Sequence, residues 1–150
     1  VGIKLMFPTT STSPISPAGK VQHVGMALNI RGDAEHPLVG WSPTNPRTCV
    51  NRDVIAITGA CLTIRRDLFN KVQGFDPVYG LGTWEDVDLC FKVRESGFRN
   101  YVNAQATGYH YVGSTAEKKR RPFPLQHNKM IFQSKWASTG MLAYTSADFW

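Results

Sequence analysis

Hydrophobic and polar positions follow two different periods along the chain, and together they predict an α/β fold. Short apolar or alternating runs, several of them rich in β-branched residues, predict strands at residues 1–7, 19–28, 54–58, 62–64, 98–102 and 106–112. Apolar residues at helical spacing predict helices at about residues 65–73, 85–96 and 125–138. We therefore expect one domain over residues 1–150, a mixed sheet of about five strands with two or three helices packed on it.

Two of the segments between these elements lack any clear period. Residues 8–19 are rich in Ser, Thr and Pro and predict a loop. Residues 31–52 contain three prolines, so we expect a long excursion without regular structure, a kind of segment that is usually functional or disordered. His23 stands near the second predicted strand, and we interpret it as a packing or hydrogen-bonding residue because a lone histidine is a weak sign of a site.

The strongest candidate chemistry lies where a glycine-rich loop runs into the second predicted helix. Gly80 and Gly82 allow the backbone to approach a ligand closely, and Trp84-Glu85-Asp86-Val87-Asp88 follows at once. Carboxylates in a first helical turn suit the positive end of the helix dipole, but that effect does not explain the whole cluster. Residues two apart diverge around a helix, so Asp86 and Asp88 do not form a metal clamp. We interpret Asp86 as catalytic and Asp88 as structural.

Charge and cysteine content narrow the class of partner. The chain carries a formal charge of +6, and much of the excess lies at residues 118–121. A solvated loop explains such a run, and a phosphate-bearing ligand, an anionic membrane surface or nucleic acid would also suit it. No recognised nucleic-acid motif is present, so we expect no nucleic acid partner.

The three cysteines lack CxxC spacing and predict buried thiols in a reducing compartment. We expect a cytoplasmic protein, with the inner membrane surface as a second location.

Several motifs stand in the same order as in one known family. The central ones are Thr58-Gly59-Ala60-Cys61, Gly74-Phe75-Asp76, Trp84-Glu85-Asp86-Val87-Asp88-Leu89 and His110. Together they resemble the second half of glycosyltransferase family 2, whose members are nucleotide-sugar-dependent enzymes of the GT-A fold. Residues 1–5 and 20–25 are similar to the strand and the "iQHaG" segment that follow the family's nucleotide-binding half, and residues 128–136 are similar to its closing "N…KW" helix.

The resemblance implies an inverting sugar transfer with a carboxylate base. By motif match Asp86 is that base, which takes the proton of an acceptor hydroxyl, and Glu85 and Trp84 shape the acceptor pocket beside it. A positioned carboxylate in this role is worth roughly 10²–10⁴-fold in rate. The further substrate-binding residues that we expect are Thr58, Gly59, Ala60 and Gly82.

The family also implies a divalent metal, Mn²⁺ or Mg²⁺, which neutralises the leaving nucleoside diphosphate in the complete enzyme. His110 stands where the family has a histidine that helps to hold this metal. A strand histidine between two tyrosines that only forms hydrogen bonds is the alternative interpretation. The expected partners are a nucleotide-sugar donor and a sugar or glycan acceptor.

The family's first half, with its own Asp-x-Asp motif, has no counterpart in this sequence. We therefore expect an acceptor-side half that is inactive or nearly inactive alone. A half fold would leave an exposed sheet edge, so we expect self-association or pairing with a missing N-terminal half. The alternative from another class is a carbohydrate- or polyanion-binding module without catalysis, which the run at residues 118–121 would favour.

Overall fold

The computed structural model describes residues 1–112 and 122–143, and their fold centres on one mixed sheet. The strands are β1 (Gly2–Met6), β2 (Val21–His23), β3 (Ala27–Leu28), β4 (Ala34–Glu35), β5 (Arg52–Val54) and β6 (Asn100–Tyr109). The helices are α1 (Arg66–Lys71), α2 (Glu85–Glu95) and α3 (Leu125–Trp136). Strands and helices thus form the expected α/β class, with a mixed sheet and three helices within the described residues. The basic run at residues 118–121 lies outside them.

The main sheet has four strands in the order β2-β1-β6-β5. The two central strands, β1 and β6, are parallel, whereas β2 and β5 pair antiparallel to their neighbours. Strands β3 and β4 form a separate two-stranded ribbon. The parallel central pair requires a long crossover, and the segment between β1 and β6 contains the helices α1 and α2.

One continuous strand, β6, replaces the two strands that the sequence predicts at residues 98–102 and 106–112. Ile3 of β1 pairs with Asn103, but the next residue, Lys4, pairs with Thr107, so β6 bulges between the two pairs. The backbone N–H groups in the bulge bind side chains instead: Ala104 donates to Asn51 at 2.8 Å. The polar residues that look like a strand break are therefore a bulge within one strand.

The strand predictions around residues 54–64 are also wrong in detail. Strand β5 ends at Val54, and Ile57 is buried without belonging to a strand. The Thr58 side chain accepts a hydrogen bond from the N–H of Ala60 and starts a 3₁₀ turn, Gly59–Cys61. Leu62 makes only an isolated bridge with Gly2. The β-branched residues here serve core packing rather than a strand ladder.

An aromatic cluster fixes α2 against α3. The ring of Phe91 on α2 lies 4.8 Å from that of Phe132 and 5.2 Å from that of Trp136, and Trp84 lies 4.9 Å from Phe132. Such contacts add to the apolar area that these residues bury. A second apolar cluster joins α1 to the opposite side of α2. Helix α2 is therefore held from two sides.

The segment 31–52 is mostly irregular, as expected, although it contains β4, a 3₁₀ turn at Pro46–Cys49 and the start of β5. Part of it covers the edge strand β2. The N–H of Val21 donates to the carbonyl of Trp41 at 3.0 Å, and the N–H of Gly40 donates to the carbonyl of Val21 at 2.7 Å. That edge is thus not free for pairing, and self-association stays a prediction. Within the described residues no helix has the length and apolar character that crossing a bilayer requires.

Candidate active site

A cavity of about 240 Å³ opens at the N-terminus of α2, and we refer to it as the α2 cavity. It is lined by Met26, Ala34, His36, Thr58, Thr83, Trp84, Asp86, Val87 and Leu125. Most of this wall is apolar, and a few polar groups converge on it, which is the usual character of a small-molecule site. Three of the predicted site residues, Thr58, Trp84 and Asp86, therefore line one cavity.

Asp86 is fixed at the cavity by two backbone N–H groups. Its Oδ2 accepts a hydrogen bond from Gly59 at 2.8 Å, and its Oδ1 accepts one from Val87 at 2.8 Å. A Cβ built on Gly59 would lie 3.4 Å from the Cβ of Asp86, at van der Waals contact, so the backbone of Gly59 lies directly beside this residue. The turn that begins at Thr58 thus meets the acidic junction directly, as the predicted site requires. Ala60 lies in the same turn, exposed and outside the cavity lining.

The loop that leads to Asp86 is strained. Thr83 and Trp84 both have positive φ values, 73° and 70°, and Gly82 has a φ of 129°. Two successive left-handed residues other than glycine are uncommon, and such strain persists only where the surroundings enforce it. Asn128 on α3 supplies the enforcement: its Nδ2 donates to the carbonyls of Tyr79, Gly82 and Thr83 at 2.9, 2.9 and 3.0 Å.

Asp88 is structural, as its helical spacing predicts. Its side chain is completely buried, and its Oδ1 accepts a hydrogen bond from the indole Nε1 of Trp136 at 2.9 Å. Lys135 forms an ion pair with the same carboxylate at 2.9 Å, and Lys92 lies 3.5 Å from it. The two members of the Asp-x-Asp pair therefore have different surroundings, one at the cavity and one in the interface between α2 and α3.

Glu85 lies behind the cavity rather than in its lining. It is half-buried, and its Oε2 has no hydrogen-bond partner within the described residues. Burial, with the neighbouring Asp86 charge as a smaller cause, raises the pKa of Glu85. Gly82 stands beside it, since a Cβ on Gly82 would lie 3.5 Å from Oε1 of Glu85.

His110 lies at the end of β6 and does not line the α2 cavity. Its ring Nδ1 lies 2.8 Å from Oε1 of Gln22, and the Nε2 of Gln22 donates to the carbonyl of His110 at 3.1 Å. Because the glutamine oxygen accepts, His110 is protonated at Nδ1 and its lone pair is on Nε2. Burial lowers the pKa of His110. An imidazole oriented in this way suits a metal ligand. The described residues contain no group of three or more His, Cys, Asp or Glu side chains that could hold a metal, so His110 there lacks the companions of a complete ligand set.

His36 is the one titratable residue of the cavity lining that the sequence does not predict. It follows β4 in the irregular segment, and its Nδ1 lies 2.9 Å from the Nδ1 of the buried His23. Burial lowers the pKa of His36, while the charge of Asp86 acts in the opposite direction. No motif or period marks His36, because its position follows from how an irregular loop folds over the sheet.

Comparison with known proteins finds distant relatives, among them a named rhamnosyltransferase. It is 30% identical over 131 residues to the uncharacterized protein y4gI of Sinorhizobium fredii, covering 81% of this chain and 13% of that protein. It is 31% identical over 122 residues to the O-antigen biosynthesis protein RfbC of Myxococcus xanthus, covering 77% and 9%. It is 33% identical over 96 residues to an N-acetylglucosaminyl-diphospho-decaprenol L-rhamnosyltransferase of Mycobacterium tuberculosis, covering 57% and 31%.

The chain thus spans less than a third of the length of each of these relatives. No family model matches the chain. No solved structure matches it either. The names of the two characterised relatives support a glycosyltransferase relationship at low identity.

Proposed function

We propose that this chain is the acceptor-side, base-bearing part of an inverting, nucleotide-sugar-dependent glycosyltransferase of family 2 with a GT-A fold. The observation that carries the proposal is the Asp86 carboxylate, held by two backbone N–H groups at the wall of the α2 cavity. The strained loop before it, with Trp84 in a left-handed conformation, is typical of a functional site. The relationship to a named rhamnosyltransferase supports the same reaction class.

The chemistry that this geometry suits is proton removal from an acceptor hydroxyl. Asp86 takes the proton as the acceptor oxygen attacks the anomeric carbon of the donor sugar. The new glycosidic bond forms on the face opposite the leaving group, and the bond from the anomeric carbon to the nucleoside diphosphate breaks, so the configuration inverts. A sugar hydroxyl is a weak nucleophile, and the role of the protein is to hold it beside the base.

Each lining residue has a part in holding the acceptor. The Thr58 and Thr83 hydroxyls are able to donate to or accept from a sugar hydroxyl, while the indole of Trp84 forms a fixed wall. Trp84 is only 7% exposed, because it packs on Phe132, so it shapes the cavity without swinging into it. Gly59 holds the base through its N–H, and Glu85, Ala60 and Gly82 remain proposed site residues although they lie outside the cavity lining.

Donor binding requires groups beyond those described here. We expect the nucleotide sugar and a divalent metal, Mn²⁺ or Mg²⁺, in the complete enzyme, with His110 as one ligand. The described residues contain no group of three or more His, Cys, Asp or Glu side chains around His110, so further ligands would have to come from the donor-binding part of the enzyme. The name of the mycobacterial relative specifies L-rhamnose and an N-acetylglucosaminyl-diphospho lipid, and we propose sugars of this general kind as donor and acceptor. The chain alone is expected to be inactive or nearly so.

The test is an Asp86→Asn substitution in a protein that joins this chain to its donor-binding half. Sugar transfer is measured with N-acetylglucosaminyl-diphospho-decaprenol as acceptor, and we expect roughly 10²–10⁴-fold slower turnover. The matched control is Asp67→Asn, because Asp67 is also a first-turn helix carboxylate but lies on the exposed surface outside the cavity. Transfer that persists in Asp86→Asn, with acceptor binding unchanged, would favour the non-catalytic carbohydrate-binding module.

A further inference from the structure

Two histidines form a hydrogen-bonded pair that links the α2 cavity to the core. The Nδ1 atoms of His23 and His36 lie 2.9 Å apart, and the rings meet edge to face with centroids 5.1 Å apart. His23 is fully buried at the end of β2, whereas His36 is partly exposed and lines the cavity beside Asp86. One ring of the pair is therefore fixed by the interior, and the other faces the candidate substrate.

The surroundings of His23 decide which nitrogen of His36 has the proton. Only one proton fits between two Nδ1 atoms at hydrogen-bond distance, so one ring donates and the other accepts. The Nε2 of His23 is buried with no hydrogen-bond partner in the part of the chain that the structure describes. A buried N–H without a partner is rarer than a buried lone pair without one. His23 is thus protonated at Nδ1 and donates to His36.

This assignment leaves His36 with its proton on Nε2. Since its Nδ1 is occupied by His23, Nε2 is the polar ring atom that remains for the cavity. Burial lowers the pKa of His36 and lowers the pKa of His23 still further, in agreement with two neutral rings. The cavity then offers a carboxylate acceptor, Asp86, and a neutral N–H donor, His36. A sugar hydroxyl both donates and accepts, and this pair of groups suits it.

We propose that His36 is an acceptor-binding residue whose Nε2–H donates a hydrogen bond to an oxygen of the acceptor sugar, and that His23 is the positioning residue that fixes this tautomer. The inference rests on the proposed glycosyltransferase function and extends it to the group that orients the acceptor at the base. His23 does not touch the acceptor. Its Nδ1–H donates to His36 and thereby keeps the proton of His36 on Nε2, as residues outside the direct ligand contacts do at other histidine sites.

The first test needs no turnover. Long-range ¹H–¹⁵N spectra of the ¹⁵N-histidine-labelled chain at pH 7.5 report which ring nitrogen is protonated, with His36→Gln used for assignment. We expect protonated Nδ1 in His23 and protonated Nε2 in His36. Protonation of His36 at Nδ1, or two charged rings at this pH, would overturn the proposal.

The second test separates acceptor binding from proton removal. It uses the protein joined to its donor-binding half, with N-acetylglucosaminyl-diphospho-decaprenol as acceptor. His36→Phe keeps a ring but removes the donor, so KM for the acceptor should rise about 2- to 12-fold, the value of one neutral hydrogen bond, with kcat little changed. His36→Gln places an amide N–H close to the Nε2 position and should restore most of the affinity. His127→Phe, an exposed change on α3, is the matched control.

Each outcome has a distinct meaning. An unchanged KM in His36→Phe, or a His36→Gln protein as impaired as His36→Phe, refutes acceptor binding by His36 even if Asp86→Asn abolishes transfer. A raised KM together with an active Asp86→Asn protein would refute the base and leave the role of His36 intact. If neither parent nor variant transfers sugar to this acceptor, the proposed function fails for this acceptor, and the tautomer measurement still tests the role of His23.

Discussion

The two aspartates of the acidic junction should respond differently to the same substitution. Asp88→Asn should lower the free energy of unfolding by more than Asp86→Asn does, and only Asp86→Asn should act directly on turnover. Asp88 is completely buried, and it accepts from Trp136 and pairs with Lys135. Asp86 is partly exposed, and its partners are backbone N–H groups.

The structure sets the size of each effect. An asparagine at position 88 keeps one acceptor oxygen for the indole but turns an NH₂ group toward Lys135. It therefore loses a charge-assisted hydrogen bond, worth about 1.5–3 kcal/mol, and leaves a buried donor facing a cation. Lys135 is one-third exposed and also pairs with Asp76, so part of this loss is recovered in water. We expect a destabilisation of about 2–4 kcal/mol in Asp88→Asn.

The loss at position 86 is smaller because an asparagine oxygen can keep one of the two backbone hydrogen bonds. Loss of the other backbone hydrogen bond costs about 1 kcal/mol, and loss of the negative charge at the N-terminus of α2 adds about 0.3–1 kcal/mol. The expected total is about 1–2 kcal/mol, at the lower end of the range for Asp88→Asn.

Urea denaturation of the two single variants and the parent chain measures both values under identical conditions. Thermal unfolding gives a second reading, since 1 kcal/mol corresponds to roughly 2–4 °C in a chain of this size. An Asp86→Asn protein that is less stable than Asp88→Asn would show that the roles are reversed. An Asp88→Asn protein as stable as the parent would refute the buried network as the support of α2.

Three further predictions concern the loop and the histidine pair. Asn128→Leu removes the amide NH₂ whose two N–H groups are shared among three carbonyls of the strained loop, so urea denaturation should show a loss of about 2–4 kcal/mol, and an unchanged midpoint would contradict the assigned role. Gly82→Ala forces a side chain into a φ of 129° and should cost about 1–3 kcal/mol in the same assay, although the added Cβ finds space. Burial lowers the pKa of His23 in the folded chain. Below about pH 6.5 this histidine is therefore protonated in the unfolded chain but stays neutral in the folded chain. Stability should therefore fall as the pH decreases from 6.5 to 5, by up to about 1.4 kcal/mol per pH unit, and His23→Asn should show a shallower slope.

The helices and the strand β1 were predictable because each has a strong local signal. The apolar positions of α2 recur at helical spacing, and the divergence of Asp86 and Asp88 follows from helix geometry alone. The bulge in β6 was not predictable, since its polar residues look like a break until the Asn51 side chain is seen to satisfy the backbone. The sequence around Ala104 does not indicate that its N–H binds Asn51, which lies about fifty residues earlier in the chain.

Some residues of the candidate site were likewise predictable from local motifs, and others were not. The motifs predict Gly59 and Asp86 as residues of one site, and the structure has them in contact, but the entry of His36 into the cavity depends on the path of an irregular loop. His23 illustrates the difference well. Its sequence context indicates only a packing or hydrogen-bonding role, and the structure bears this out, yet the partner it binds is a cavity residue.

Helix α3 holds the acidic junction in place, a role that its sequence motif does not indicate. Asn128 holds the loop before the base, while Lys135 and Trp136, two turns further along, hold Asp88 one turn after the start of α2. Both ends of the acidic junction are therefore fixed by one helix, and Phe132 fills the space between them against Trp84 and Phe91. A strained loop is retained only when its surroundings enforce it, and these contacts provide that enforcement. The direction of the Asp86 carboxylate thus depends on α3, which never touches it through a hydrogen bond within the described residues.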